Sequence, residues 1–205
     1  MNKLPRILSC IALLFALAGC VSSPYMTEVA SQEIRPPTPD KVKIVFMRPS
    51  PMGTAILFDL FDVVDGQLTF VGVLATRTKI VYETTPGQKV FMASSPMAAD
   101  FMLGNLQGGK IYYSIVRPVH FTGRVIPTPI KTHANDREFS MSSPDFASWV
   151  ADTKLYSPKP EAQDWFREEK ARYQDIYTDF WSRFQRKTPE EKAERTLNPE
   201  DGVLK

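Results

Sequence analysis

"TAILFDLFDVVDGQLTFVGVL", residues 54–74, places an apolar run, an Asp-Gly pair and a second apolar run in direct succession. Both runs are rich in β-branched and aromatic residues, which suit a pleated, half-buried surface. Asp65-Gly66 supplies two residues that accept positive φ, as a tight hairpin turn requires if its twist is to match that of its strands. The stretch therefore predicts a hairpin, with one strand over 54–64 and its return over 67–74.

Similar signals continue on both sides. KVKIVFMR (41–48) is β-branched and aromatic and is closed by Pro49. TKIVYE (78–83) leads into Thr85-Pro86-Gly87, where proline pre-sets φ and glycine is free to turn. QKVFMAS (88–94) follows, and Gly108-Gly109 opens KIYYSIVRP (110–118). Short strands with turn signals every ~8–12 residues predict an antiparallel β-sandwich or barrel. Residues 118–142, with Pro118, Pro127 and Pro129, read as irregular.

The C-terminal part changes period. In EAQDWFREEKARYQDIYTDFWSRFQRK (161–187), Trp165, Phe166, Tyr173, Ile176, Tyr177, Phe180, Trp181 and Phe184 recur at steps of three and four. That spacing makes one apolar face on a long amphipathic helix. Ser143-Pro144-Asp145 before FASWVA reads as the start of a short helix with Ser143 as N-cap, and Thr188-Pro-Glu-Glu reads as a capping box. The final NPEDGVLK is expected to fray. The fold class is thus mainly β, an antiparallel β-sandwich with a C-terminal amphipathic helical extension, α+β overall.

VFMRPS (45–50), GTAILFDLFDV (53–63), TTPGQKVF (84–91) and GGKIYYSIV (108–116) occur in an order and spacing that resemble a small β-sandwich domain of bacterial lipoproteins. That domain is of unknown function and is loosely similar to PEGA-type surface domains. Arg48-Pro49, Pro86-Gly87 and Gly109-Lys110 with Tyr112-Tyr113 occupy the places of its motifs. The resemblance implies a sandwich over about 80 residues and carries over no catalytic residue. The chain departs from it in extra residues around 62–70 and in its long C-terminal segment.

The N-terminus has its own reading. Lys3 and Arg6 precede an uncharged stretch, 7–18, that ends in Leu17-Ala18-Gly19-Cys20. As a helix this stretch spans roughly 18 Å, short of the ~30 Å hydrocarbon core, so it reads as a secretory signal peptide. Leu17, Ala18, Gly19 and Cys20 resemble a bacterial lipobox, which implies a lipidated Cys20, palmitate among its acyl groups, and cleavage before it. About three acyl chains on one residue make a lasting membrane anchor. Val21 in place of Asp implies, by the same resemblance, sorting to the cell outer membrane, with the domain facing the periplasm. The expected organisation is a signal peptide (1–19), a lipidated cysteine and tether (20–40), the sandwich (41–130), connecting loops with a short helix (131–160) and a helical extension (161–205). As a flexible coil the tether spans roughly 25 Å.

Composition narrows the function. Cys10 leaves with the signal and Cys20 carries lipid, so thiol catalysis, cysteine metal sites and disulfides are excluded. The chain holds 25 Lys and Arg against 23 Asp and Glu, and Lys3 and Arg6 lie in the signal, so the remainder is balanced. No basic footprint for nucleic acid emerges. His133 with Asp136 and Glu138 is a weak metal pattern, and Asp59, Asp62 and Asp65 fall on different strand faces or in a turn. The residues suggest no cofactor, no metal site and no catalytic set. Two readings of function result. One is a non-catalytic outer-membrane lipoprotein that binds or scaffolds another envelope protein through Trp165, Tyr173, Tyr177 and Trp181, aromatic residues being common interface anchors. The alternative is a periplasmic enzyme or small-ligand-binding protein with its site in the 118–142 loops around His120 and His133. The aromatic stripe has two further readings, packing on the sandwich itself or lying on a membrane.

Overall fold

In the computed structural model, which describes residues 23–50, 55–119, 122–132 and 138–204, Asp65 and Gly66 both take positive φ, 51° and 75°. Val64 pairs directly with Gln67. This is the two-residue hairpin that the Asp-Gly pair predicts. It joins β3 (Phe58–Val64) to β4 (Gln67–Leu74). The signal segment with the lipobox Leu17, Ala18, Gly19 and Cys20 lies outside the described residues, as do His120 and His133.

The remaining strands are β1 (Met26–Glu28), β2 (Val42–Arg48), β5 (Thr78–Thr84), β6 (Gly87–Ser94), β7 (Ala99–Leu106), β8 (Ile111–Pro118), β9 (Val125–Pro129), β10 (Lys154–Pro158) and β11 (Thr196–Leu197). They form two sheets, one ordered β1-β10-β5-β2-β8-β9 and the other β11-β7-β6-β3-β4. The chain alternates between them: β2 is followed by β3–β4 in the second sheet, β5 returns, β6–β7 leave again, and β8 comes back beside β2. That path makes β2 and β8 parallel, and β5/β10 and β7/β11 are parallel too. The architecture is a mainly β sandwich of two mixed sheets with a C-terminal helix.

Alternation along each strand sorts the core. Ile44 and Phe46 of β2 point inward with Phe58 and Leu60 of β3, Phe91 of β6 and Tyr112 of β8, all essentially buried. Val45 and Met47 point the other way, with Tyr113 and Ile115, into a second cluster. That cluster is covered by Phe139, Met141 and the short helix α1 (Phe146–Ala151), whose Phe146 meets Tyr113 edge-on at 5.2 Å. The α1 N-cap is Asp145 rather than Ser143. Ser143 instead accepts from the Asp145 N–H at 3.3 Å, one step outside the helix.

Several segments that read as irregular from sequence are ordered. Residues 125–129 form β9, with Pro127 and Pro129 inside it. A strand turns successive N–H groups to opposite sides, so two prolines two residues apart lose donors on the same edge. β9 is the last strand of its sheet and pairs only with β8, so that edge has no partner to miss them. The supposed tether supplies β1, and Met26 is 5% exposed within the core. The C-terminal residues do not fray. Asn198 caps a 3-10 turn over Pro199–Asp201, Asp201 is buried, and Val203 exchanges two hydrogen bonds with Ile111. Asp201 is held by Lys131 at 3.1 Å and by the backbone N–H groups of Thr132 and Asn198 at 3.2 and 2.8 Å.

The docked N-terminal segment explains one glycine. A Cβ on Gly108 would collide with the carbonyl oxygen of Pro39. Backbone cannot yield as a side-chain tip does, so Gly108→Ala must push 37–41 off the β7–β8 turn. The expected result is a loss of about 2 kcal/mol in chemical denaturation; an unchanged midpoint would show that 37–41 does not dock there.

Candidate functional site

The long helix, α2 (Glu161–Gln185), decides how the aromatic stripe is used. It crosses the outer face of the β11-β7-β6-β3-β4 sheet from β4 to β7. At its start Phe166 stacks on Phe70 (5.7 Å) and approaches Phe61 (5.4 Å), while Trp165 meets Phe70 edge-on at 5.6 Å. At its end Trp181 and Phe184 close on Phe101 at 4.9 and 5.4 Å, with Tyr177 at 5.9 Å. Phe61, Phe70 and Phe101 point away from the sandwich interior, so without α2 they would stand in water. The short helix α3 (Pro189–Ala193) follows, closed by the expected Thr188–Glu191 capping box.

Of the four proposed partner contacts, Tyr173 is 3% exposed and is therefore held by the chain's own sheet. Trp165, Tyr177 and Trp181 are half-buried and also pack against the core. The outer side of α2 is charged, with Arg167–Asp164, Arg172–Glu169 and Arg183–Asp179 pairs one turn apart. These exposed pairs contribute little to stability, and they keep that side solvated.

Tyr173 also makes a polar contact that no local pattern signals. Its hydroxyl donates to Asp59 Oδ2 at 2.7 Å, across 114 residues of sequence. Asp59 and Asp62 lie on opposite faces of β3, as alternation requires. Asp59 sits beneath α2; Asp62 is in the sandwich interior, where it accepts from the Tyr82 hydroxyl at 3.0 Å. Burial raises the Asp59 carboxyl to about 6, opposed by the Tyr173 hydrogen bond and by Arg172, with Glu169 adding to the rise. Burial and then the Asp59 charge push the Tyr173 phenol up. Burial likewise raises Asp62. Each carboxyl accepts from one tyrosine of another layer, which makes these contacts closures between layers.

Three surface cavities accompany this frame. One of about 310 Å³ lies beside the N-terminal segment, bordered by Tyr25, Ile56, Leu57, Asp59 and Trp165. Another of about 450 Å³ lies between β7 and the end of α2, bordered by Asp100, Arg124, Arg183 and Lys187. The third, of about 350 Å³, opens at the seam where β8–β9 faces β11, bordered by Arg117, Lys131 and Arg195. Among the described residues no group of three His, Cys, Asp or Glu side chains is placed to hold a metal ion. No known protein family model matches the chain, and no curated protein matches it with significance.

The raised Asp59 value gives a pH dependence with a definite sign. A carboxyl whose folded pKa lies above its unfolded value favours folding in its protonated form. Its contribution is complete below about pH 4 and is lost as pH rises through about 6. Asp59→Asn keeps an acceptor for Tyr173 and removes the buried charge. The variant should be more stable than the parent by about 2 kcal/mol at pH 8, and the difference should vanish by about pH 4. Urea unfolding of both proteins across this range checks it; a gap that does not depend on pH would show that Asp59 does not titrate with folding.

Proposed function

We propose that this chain is a non-catalytic lipoprotein of the bacterial outer membrane, anchored through Cys20 and facing the periplasm, that binds or scaffolds another component of the cell envelope. The lipobox motivates the anchor. The observation that carries the reading is how soon the chain enters the folded domain after it. Ser23 is already buried. The Pro24 carbonyl accepts from Lys159 Nζ at 2.8 Å, and Tyr25 stacks on Trp165 at 4.6 Å. Three residue steps separate Cys20 from Ser23, and they reach at most about 11 Å. A lipid on Cys20 therefore holds the domain close against the bilayer surface, with the start of α2 nearest the anchor, instead of letting it sample a wide shell.

Such fixed placement suits a protein that presents one surface to a partner. Tyr173 is excluded from the contact by its burial, so the surface is the charged outer side of α2 together with the exposed edges of Trp165, Tyr177 and Trp181. Cys20→Ala should abolish labelling by a palmitate analogue and release the protein from outer-membrane fractions. Continued fractionation with the outer membrane would overturn the anchor. A photoreactive residue at Lys170 or Ser182, both exposed on α2, should yield one discrete adduct with an envelope protein. If neither position yields an adduct, this side of the helix is not the contact.

A further inference from the structure

The seam cavity brings three cations, Arg117, Lys131 and Arg195, to its border with one carboxylate, the exposed Glu194. Arg117 of β8 donates from Nε to Thr128 Oγ1 at 3.1 Å, and its guanidinium lies 4.9 Å over the Phe139 ring. These contacts fix the plane of the group at the border of the cavity. Arg195, just before β11, is anchored by its own backbone, whose carbonyl accepts from the Leu103 N–H at 2.8 Å. Its side chain is 17% exposed and lies 3.5 Å from Asp100 Oδ2, a distance for attraction but too long for a good hydrogen bond. The second terminal nitrogen, Nη1, is buried and has no acceptor. Lys131 borders the same cavity but is already engaged with Asp201.

The cost of this arrangement is legible in the charges. Burial lowers the Arg195 pKa, Asp100 and Glu194 oppose that, and Arg117 and Arg124 add to the lowering. Arg117 and Arg124 thus both act on Arg195, with Asp100 as its ion-pair partner among the described residues and the exposed Glu194 on the border of the same cavity. A buried donor without an acceptor costs about 1–3 kcal/mol, and like charges add to it. An anion in the cavity would offset the like charges, because a guanidinium presents paired donors that match the two oxygens of a carboxylate or phosphate.

We propose that the seam cavity binds a small molecule bearing a phosphate or carboxylate group, held between Arg117 and Arg195, with Phe139 and Pro129 as an apolar wall for the rest of it. This site is separate from the charged side of α2 and does not depend on the anchor. The test is calorimetric titration of the full chain in detergent, at constant ionic strength set with chloride, using inorganic phosphate, glycerol 3-phosphate and citrate. At least one should bind saturably with one site per chain. Arg117→Gln should weaken it about tenfold or more. Arg195→Lys, which keeps the charge but not the fork, should do the same. Arg124→Gln, which acts through the field alone, should weaken it only a few-fold. Tighter binding of glycerol 3-phosphate than of inorganic phosphate would identify a lipid headgroup as the source, and equal binding a free ion. Failure of all three probes to saturate overturns the proposal. So does equal weakening by Arg124→Gln and the other two variants, since that is the behaviour of a diffuse field rather than a site.

Discussion

Both sheets of this sandwich are apolar on both faces, and the rest of the structure follows from that constraint. A two-sheet sandwich buries only two of the four faces it creates. Here Phe61, Phe70 and Phe101 stand on the outside of one sheet, and Val45, Met47, Tyr113 and Ile115 on the outside of the other. Full burial of such side chains is worth about 1.5–3 kcal/mol each, so leaving either set in water would remove a large part of the net stability of a domain. The fold therefore needs two further layers. α2 supplies one, and α1 with Phe139 and Met141 supplies the other. What reads in sequence as extension and connecting loop is the outer half of the core.

The same need binds the chain ends to the domain. β10, between the two helical covers, inserts beside β5 and receives β1 on its other side. β11 and Val203, after α2, close the β7 edge and the start of β8. There is no cysteine among the described residues, and cross-connections of this kind keep the covers on the sheets. They also fix the start of the described chain against the helix, because Tyr25 and Trp165 are stacked partners.

How much of this was legible depended on whether the signal was local. The β3–β4 hairpin, the strands at β2, β5, β6 and β8, the long helix and the Thr188 capping box all carry their cause within a few residues, and each was readable. β7 was not, because Ala99–Leu106 holds an aspartate, a glycine and an asparagine, which strands disfavour. Its strand geometry comes from β6 on one side and β11 on the other. β9 was hidden by its prolines, whose tolerance depends on an edge that only the assembled sheet defines. Trp165, Tyr173, Tyr177 and Trp181 were identified as one face, but periodicity cannot say whether such a face meets a partner or the chain's own sheet. The outward-pointing Phe61, Phe70 and Phe101 decide that. The Asp59–Tyr173 and Asp100–Arg195 contacts join residues far apart in sequence, and neither partner is unusual where it stands.

Two buried arginines show why location in the fold, rather than burial, separates structure from binding. Arg48 is fully buried; it donates to the carbonyl oxygens of Ile56 and Leu74 and lies 4.1 Å over the Phe58 ring. Burial lowers it to about 10, yet its Nη1 meets backbone carbonyls where β2 ends beside β3 and β4, and no cavity opens onto it among those described. That guanidinium ties the two sheets together at one end. Arg195 is less buried but borders a cavity, keeps an unused donor and faces other cations. At the seam the sheets part around a space bordered by Arg117, Lys131 and Arg195, and that is where the proposed oxyanion would meet the guanidiniums.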